Sequence, residues 1–157
     1  MVNNHTPVFT PPVDTLYQLL HEDAEVREFI ELADAAMEAI GYTEHGLRHV
    51  TQVAMTAYDV LSKLGYSAEQ AQLAKCAGLL HDIGNLVGRE DHTRSGAMLA
   101  YPILRRVGFT PYQAGVVMGA IGSHEEEETP PLHPVCAAVI IGDKADVHRS
   151  RVRSYYP

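Results

Sequence analysis

The chain has 157 residues, 46% of them apolar, and a formal net charge of -8. That length suits one domain able to bury about two thirds of its unfolded surface around a single core. The acidity argues against sequence-independent nucleic-acid binding, which rests on Lys and Arg neutralising phosphates, but leaves room for a small phosphate ester at a local positive site. No apolar run approaches the roughly 20 residues that span a bilayer. The polar, proline-rich start is unlike a signal peptide, and the sequence reads as soluble and cytoplasmic. The two cysteines, Cys76 and Cys136, lie in apolar helical stretches as small core residues, in keeping with a reducing compartment.

Residues 1–13 hold Pro7, Pro11 and Pro12 without apolar periodicity and are expected to form an extended arm. Helical signals begin at Asp14, where Leu16, Leu19 and Leu20 give a short helix. Val26, Phe29, Ile30, Ala33, Met37 and Ile40 then keep a three-or-four spacing that Gly41 closes. From about Glu44 to Leu64, the residues Leu47, Val50, Ala54, Ala57, Leu61 and Leu64 share one face, and Gly65 ends it. Ser67 with Gln70 is a capping box, opening a helix through Leu73, Ala77 and Leu80 to Gly84, its expected C′ glycine. After a loop at about 85–91, a helix runs from His92 or Thr93 to Val107 with a bend at Pro102. Thr110 and Pro111 form an N-cap and N1 pair for a helix through Val116, Val117 and Ile121 to about His124. The acidic, proline-rich stretch from Glu125 to Pro134 is expected to be a loop. A last helix carries Val135, Ala138, Val139 and Ile141 toward Val147. With no strand alternation and no repeat, the expected fold is all-α, a single-domain bundle of six to seven helices over residues 14–150. The tail at 151–157, with Arg149, Arg151 and Arg153 leading to Tyr155-Tyr156-Pro157, reads as solvated arginines on a terminus. Its terminal aromatics leave open a C-terminal truncation or packing against a partner, including a homo-oligomer.

His81 and Asp82 end the apolar run Ala77-Gly78-Leu79-Leu80. Burying these groups unpaired costs on the order of 1–3 kcal/mol or more. A bound cation satisfies both, and the last turn of a helix favours one. Asp143 follows the apolar stretch Val135 to Gly142, and a buried carboxylate there must take up a proton or find a partner such as Lys144 or an arginine. His92 and His124 fall at helix ends, where polar loops converge. Nine histidines against 12 Lys plus Arg is a high share. His45 and His49 are four residues apart on the same expected helix. Periodicity centres neither on the apolar stripe, with His45 nearly opposite it, and does not choose between them.

A histidine, a His-Asp doublet at a helix end and a distant aspartate resemble the HD-domain superfamily of metal-dependent phosphohydrolases. The matching segments are Glu44-His45-Gly46-Leu47-Arg48, Leu80-His81-Asp82-Ile83-Gly84 and Gly142-Asp143-Lys144. The resemblance covers about residues 40–150 and selects His45 over His49. It implies an HD-type bundle and a metal held by His45, His81, Asp82 and Asp143. In two-metal members a histidine follows the doublet and another ends the next helix, which His92 and His124 match, with Asp82 placed to bridge. Where relatives carry a further histidine after the latter, this chain has Glu125. Where many carry a lysine after His-Asp-x-Gly, it has Asn85, a substrate contact or a helix-end cap.

Such ligands suit one or two divalent ions among Fe, Mn, Co, Ni, Zn or Mg, with no thiolate in the set. Two divalent ions against two carboxylates give a local charge of about +2, which draws an anionic ester into an acidic protein. The implied activity is hydrolysis of a small phosphomonoester or phosphodiester, a nucleotide among the candidates, by metal-activated water. Asp82, Lys144 and Arg48 are the expected catalytic residues, the two cations stabilising phosphate charge. Glu125 to Glu128 reads as a solvated acidic loop, with a general base near His124 as its functional counterpart. Two rival functions share the fold: a mixed-valent di-iron oxygenase, and a non-catalytic metal- or nucleotide-binding regulatory module.

Overall fold

The computed structural model describes residues 11–125, 131 and 133–153. Among the described residues all regular structure is helical. The α-helices are α1 (Leu16–Glu22), α2 (Ala24–Ala39), α3 (Leu47–Lys63), α4 (Ala68–Leu80), α5 (His92–Val107), α6 (Pro111–Gly122) and α7 (Pro134–Ala145). Their limits follow from local chemistry. Asp23 caps α2 by accepting from Val26 N, and Ser67 and Thr110 form complete capping boxes with Gln70 and Gln113. Each cap satisfies amides that the first turn leaves without partners. Gly41 and Gly65 take positive φ at the ends of α2 and α3. α5 continues through Pro102.

The interior is organised around α4. Leu73, Ala74, Cys76, Ala77, Leu79 and Leu80 are all buried, so this helix is enclosed rather than amphipathic. It packs against α1, α3, α6 and α7. Each fully buried leucine among these stabilises the fold by about 1.5–3 kcal/mol. The consequence is positional, because the C-terminal end of α4 delivers His81 and Asp82 to the middle of the molecule. α3 and α7 flank it, and their approach is tight: a Cβ on Gly142 would lie 2.8 Å from Val53 O. That closeness sets Asp143, the next residue, beside α3.

Three details depart from the sequence expectation. α3 begins at Leu47 instead of Glu44, because Gly46 is an extended N-cap (φ -81, ψ -165), and His45 therefore precedes the helix. α4 ends at Leu80, after which a 3-10 turn spans Ile83–Leu86. Gly84 is no C′ glycine; a Cβ there would meet His92 O at 1.8 Å, so the residue is small to let the turn touch the start of α5. The arginines of the tail are not simply solvated. Arg151 donates to Glu44 O and Asp146 O, and Arg153 to Tyr42 O and Asp34, which straps this segment across the α2–α3 connection. Most of the expected arm, at 1–10, and Glu126 to Glu128 lie outside the described residues. Both cysteines are buried and unpaired. Among the described residues no helix is long and apolar enough to cross a membrane.

Candidate metal centre

Four histidines from four places in the fold converge on Asp82. His49 comes from the second residue pair of α3, His81 from the end of α4, His92 from the first position of α5, and His124 from just beyond α6. In each of them Nδ1 is anchored. His49 Nδ1 is 2.7 Å from Asp146 Oδ2, His81 Nδ1 2.8 Å from Gly78 O, His92 Nδ1 3.0 Å from Arg89 O, and His124 Nδ1 2.7 Å from Ile121 O. All four partners are acceptors, so Nδ1 carries the proton and Nε2 presents a lone pair, the tautomer a metal ligand needs.

The Nε2 atoms divide between the two oxygens of Asp82. His49 and His81 face Oδ2 at 3.7 and 3.2 Å. His92 and His124 face Oδ1 at 3.6 and 3.8 Å and lie 3.2 Å from each other. Asp143 Oδ1 joins the first group, 3.2 Å from His49 Nε2 and 3.8 Å from His81 Nε2. Donor atoms bound at about 2.0–2.2 Å to one ion sit about 3–4 Å apart, so both groups have the spacing of a coordination shell. His49 Nε2 and His81 Nε2 are buried without a hydrogen-bond partner. Lone pairs aimed at carboxylate oxygens repel unless a proton or a metal ion lies between. The groups His49–His81–Asp82 and Asp82–His92–His124 thus fit two cations sharing one carboxylate.

The electrostatics of the ion-free site carry the same message. Burial disfavours the His81 imidazolium, but the facing Asp82 and Asp143 carboxylates outweigh it and push its pKa up to about 9. Burial likewise opposes ionisation of Asp143, yet His49 and His81 hold it down at about 2. Asp82 is lowered well below the usual carboxylate range, its burial offset chiefly by His81. Burial and the neighbouring His81 bring His124 down to about 4. The carboxylates are thus held in their charged form, and His81 faces a local excess of negative charge that suits a cation.

Several sequence-derived assignments change. His45, selected above, has both ring nitrogens engaged: Nδ1 donates to Thr43 O at 2.6 Å, and Nε2 accepts from Arg151 at 3.2 Å. His49, wholly buried one helical turn into α3, stands among the donors in its place. Arg48, expected at the substrate, donates instead to Glu44 and, through both Nη atoms, to Asp146 at 3.3 and 2.9 Å. Lys144 is exposed beside Asp143. His81, Asp82, Asp143, His92 and His124 do come together.

Three contributions were not foreseen. Asp146, three residues after Asp143 and just past the end of α7, fixes His49, and that short spacing was the available signal. Asn85, read as a substrate contact or a helix-end cap, is buried and donates to Asp82 O at 3.1 Å, as a cap would, and also to Asp82 Oδ1 at 2.9 Å, which orients the shared carboxylate. Arg89 packs over the Tyr42 ring, pairs with Glu125 and lies 3.0 Å from His92 Nε2.

The model of the HD domain family matches residues 46–148, and the chain belongs to that family. The matched segment includes His49 and starts one residue after His45. Ribonuclease Y of Bacillus subtilis (strain 168) is 39% identical over 113 residues, which cover 72% of this chain and 20% of that protein. Ribonuclease Y of Aquifex aeolicus (strain VF5) is 36% identical over 115 residues, covering 71% and 18%. Ribonuclease Y of Thermotoga maritima is 32% identical over 129 residues, covering 80% and 23%. The chain thus spans about a fifth of the length of these curated relatives. No solved structure matches it.

Proposed function

We propose that this protein is a metal-dependent phosphohydrolase acting on a phosphoester, with nucleotides and RNA as the substrate classes to test first. One observation carries the reading: four imidazoles with Nδ1 anchored and Nε2 turned toward the two oxygens of one buried carboxylate. His49, His81, Asp82 and Asp143 would hold one divalent ion, and Asp82, His92 and His124 a second. Bound there, such ions lower the pKa of coordinated water and polarise a phosphoryl oxygen. Asn85 keeps Asp82 oriented toward both groups, and Asp146 with Arg48 holds His49 in its ligand tautomer. Lys144 remains a candidate phosphate contact beside Asp143. RNA enters through the similarity to the ribonucleases Y, and the net charge of -8 favours a short substrate over a long strand held by its backbone.

The test is a panel of nucleotides, phosphodiesters and short RNAs incubated with protein loaded in turn with Mn, Fe, Co and Zn. Phosphate or nucleotide release that disappears in Asp82→Asn supports the reading. Metal-loaded protein inert across the panel overturns it. Substrate-dependent O₂ uptake with a coupled Fe(II)/Fe(III) signal would move the chain to the oxygenase alternative, since the same nitrogen and oxygen donors suit iron.

A further inference from the structure

We infer that Arg89 is the phosphate-binding residue at the second donor group, an assignment that rests on the phosphohydrolase reading above. Its guanidinium is tethered on several sides. Nη2 pairs with Glu125 Oε1, Nη1 lies 3.5 Å from Asn85 Oδ1, and the Tyr42 ring centroid is 5.5 Å away. Nη1 also lies 3.0 Å from His92 Nε2, the atom that faces Asp82 Oδ1.

His92 has one lone pair to give, because its other nitrogen is committed to Arg89 O. In the ion-free protein Arg89 uses that lone pair. A divalent ion held by Asp82, His92 and His124 would take it over, and Nη1 would lose the shorter of its two acceptor contacts while Glu125 and Asn85 keep the guanidinium close by. A guanidinium held beside a dication is repelled, and an anion seated between the two relieves both. A phosphoryl group fits that place, since the planar fork of arginine offers paired donors to phosphate oxygens. The Arg89 side chain is 32% exposed and that of Glu125 37%, against 2% for His92, so both reach solvent beside the second donor group, as Asp143, also 32% exposed, does beside the first. The substrate phosphate therefore approaches between Tyr42 and Glu125, and Glu125 acts as a positioning residue.

The test is calorimetric titration of inorganic phosphate into the metal-loaded full chain, with metal content measured on the same samples. Arg89→Gln should weaken phosphate binding by about 10- to 100-fold without loss of metal. Arg89→Lys should fall between it and the native protein, and Lys63→Gln, remote and exposed on α3, should bind as the native protein does. Equal phosphate affinity in Arg89→Gln and native protein overturns the assignment, as does loss of one metal equivalent in that variant. Phosphate binding that depends on Arg89, in a protein that hydrolyses nothing in the panel, would sink the hydrolase reading and leave the Arg89 site standing. Normal hydrolysis with Arg89-independent phosphate binding would do the reverse.

Discussion

The two donor groups share Asp82 but differ in what stands behind them. The inner one has two carboxylates, two fully buried histidines and a supporting chain from His49 through Asp146 to Arg48. Among the described residues the outer one has its share of Asp82 and, 3.6 Å from His92 Nε2, a Glu125 carboxylate that is already paired with Arg89, whose guanidinium rests against the same nitrogen. The second carboxylate, Asp143, favours the cation at the inner position, whereas at the outer one it must displace Arg89. The inner ion should bind more tightly, and stepwise chelation should strip the outer ion first.

The largest effect that would break this picture is at the shared ligand. Asp82→Ala should remove both ions and lower turnover at least about 1,000-fold, checked by metal analysis and by rate on whichever ester is cleaved. Asp146→Ala touches only the inner group. It frees His49 Nδ1, and the loss of such an outer partner costs about 10- to 100-fold in metal affinity, to be read by competition with a chelator. Gly84→Ala should destabilise the fold by at least about 1–3 kcal/mol, since its Cβ would collide with His92 O, and a lowered melting temperature at unchanged secondary structure would show it.

The sequence made the buried doublet and several helix starts legible because both depend on local signals. Ser67 with Gln70 and Thr110 with Pro111 marked true helix starts, and the apolar run before His81 marked the enclosed helix. His49 was hidden by a boundary. With α3 begun at Glu44, His45 and His49 look equivalent; once Gly46 is the N-cap, His45 falls into the preceding loop, and His49 lies one turn before buried Val53 on the inward face. Asp146 and Arg89 were harder still, since His49 is 97 residues from the one and Glu125 36 residues from the other. Arg48 was read as a substrate contact because nothing local reveals that Asp146 would claim it.

A smaller effect sharpens the comparison through pH. Against burial, the facing carboxylates of Asp82 and Asp143 push the His81 pKa up from its ordinary 6.5 to about 9. A raised folded-state pKa contributes stability fully present below 6.5 and lost as pH rises toward 9. Metal binding requires the unprotonated Nε2 and strengthens over that same window. The gap in melting temperature between metal-loaded and chelated protein should therefore widen from pH 6.5 to 9. A gap that stays constant would mean that His81 is not a ligand.

The most direct measurement is the number of metal ions per chain in native protein, His45→Ala, His49→Ala, His92→Ala and Asp82→Ala, each loaded and desalted alike. Two sites joined by one carboxylate predict two ions in the native protein and in His45→Ala, one in His92→Ala, a defect confined to the inner ion in His49→Ala, and none in Asp82→Ala. Two ions retained in Asp82→Ala, or a loss in His45→Ala with His49→Ala unaffected, would contradict it.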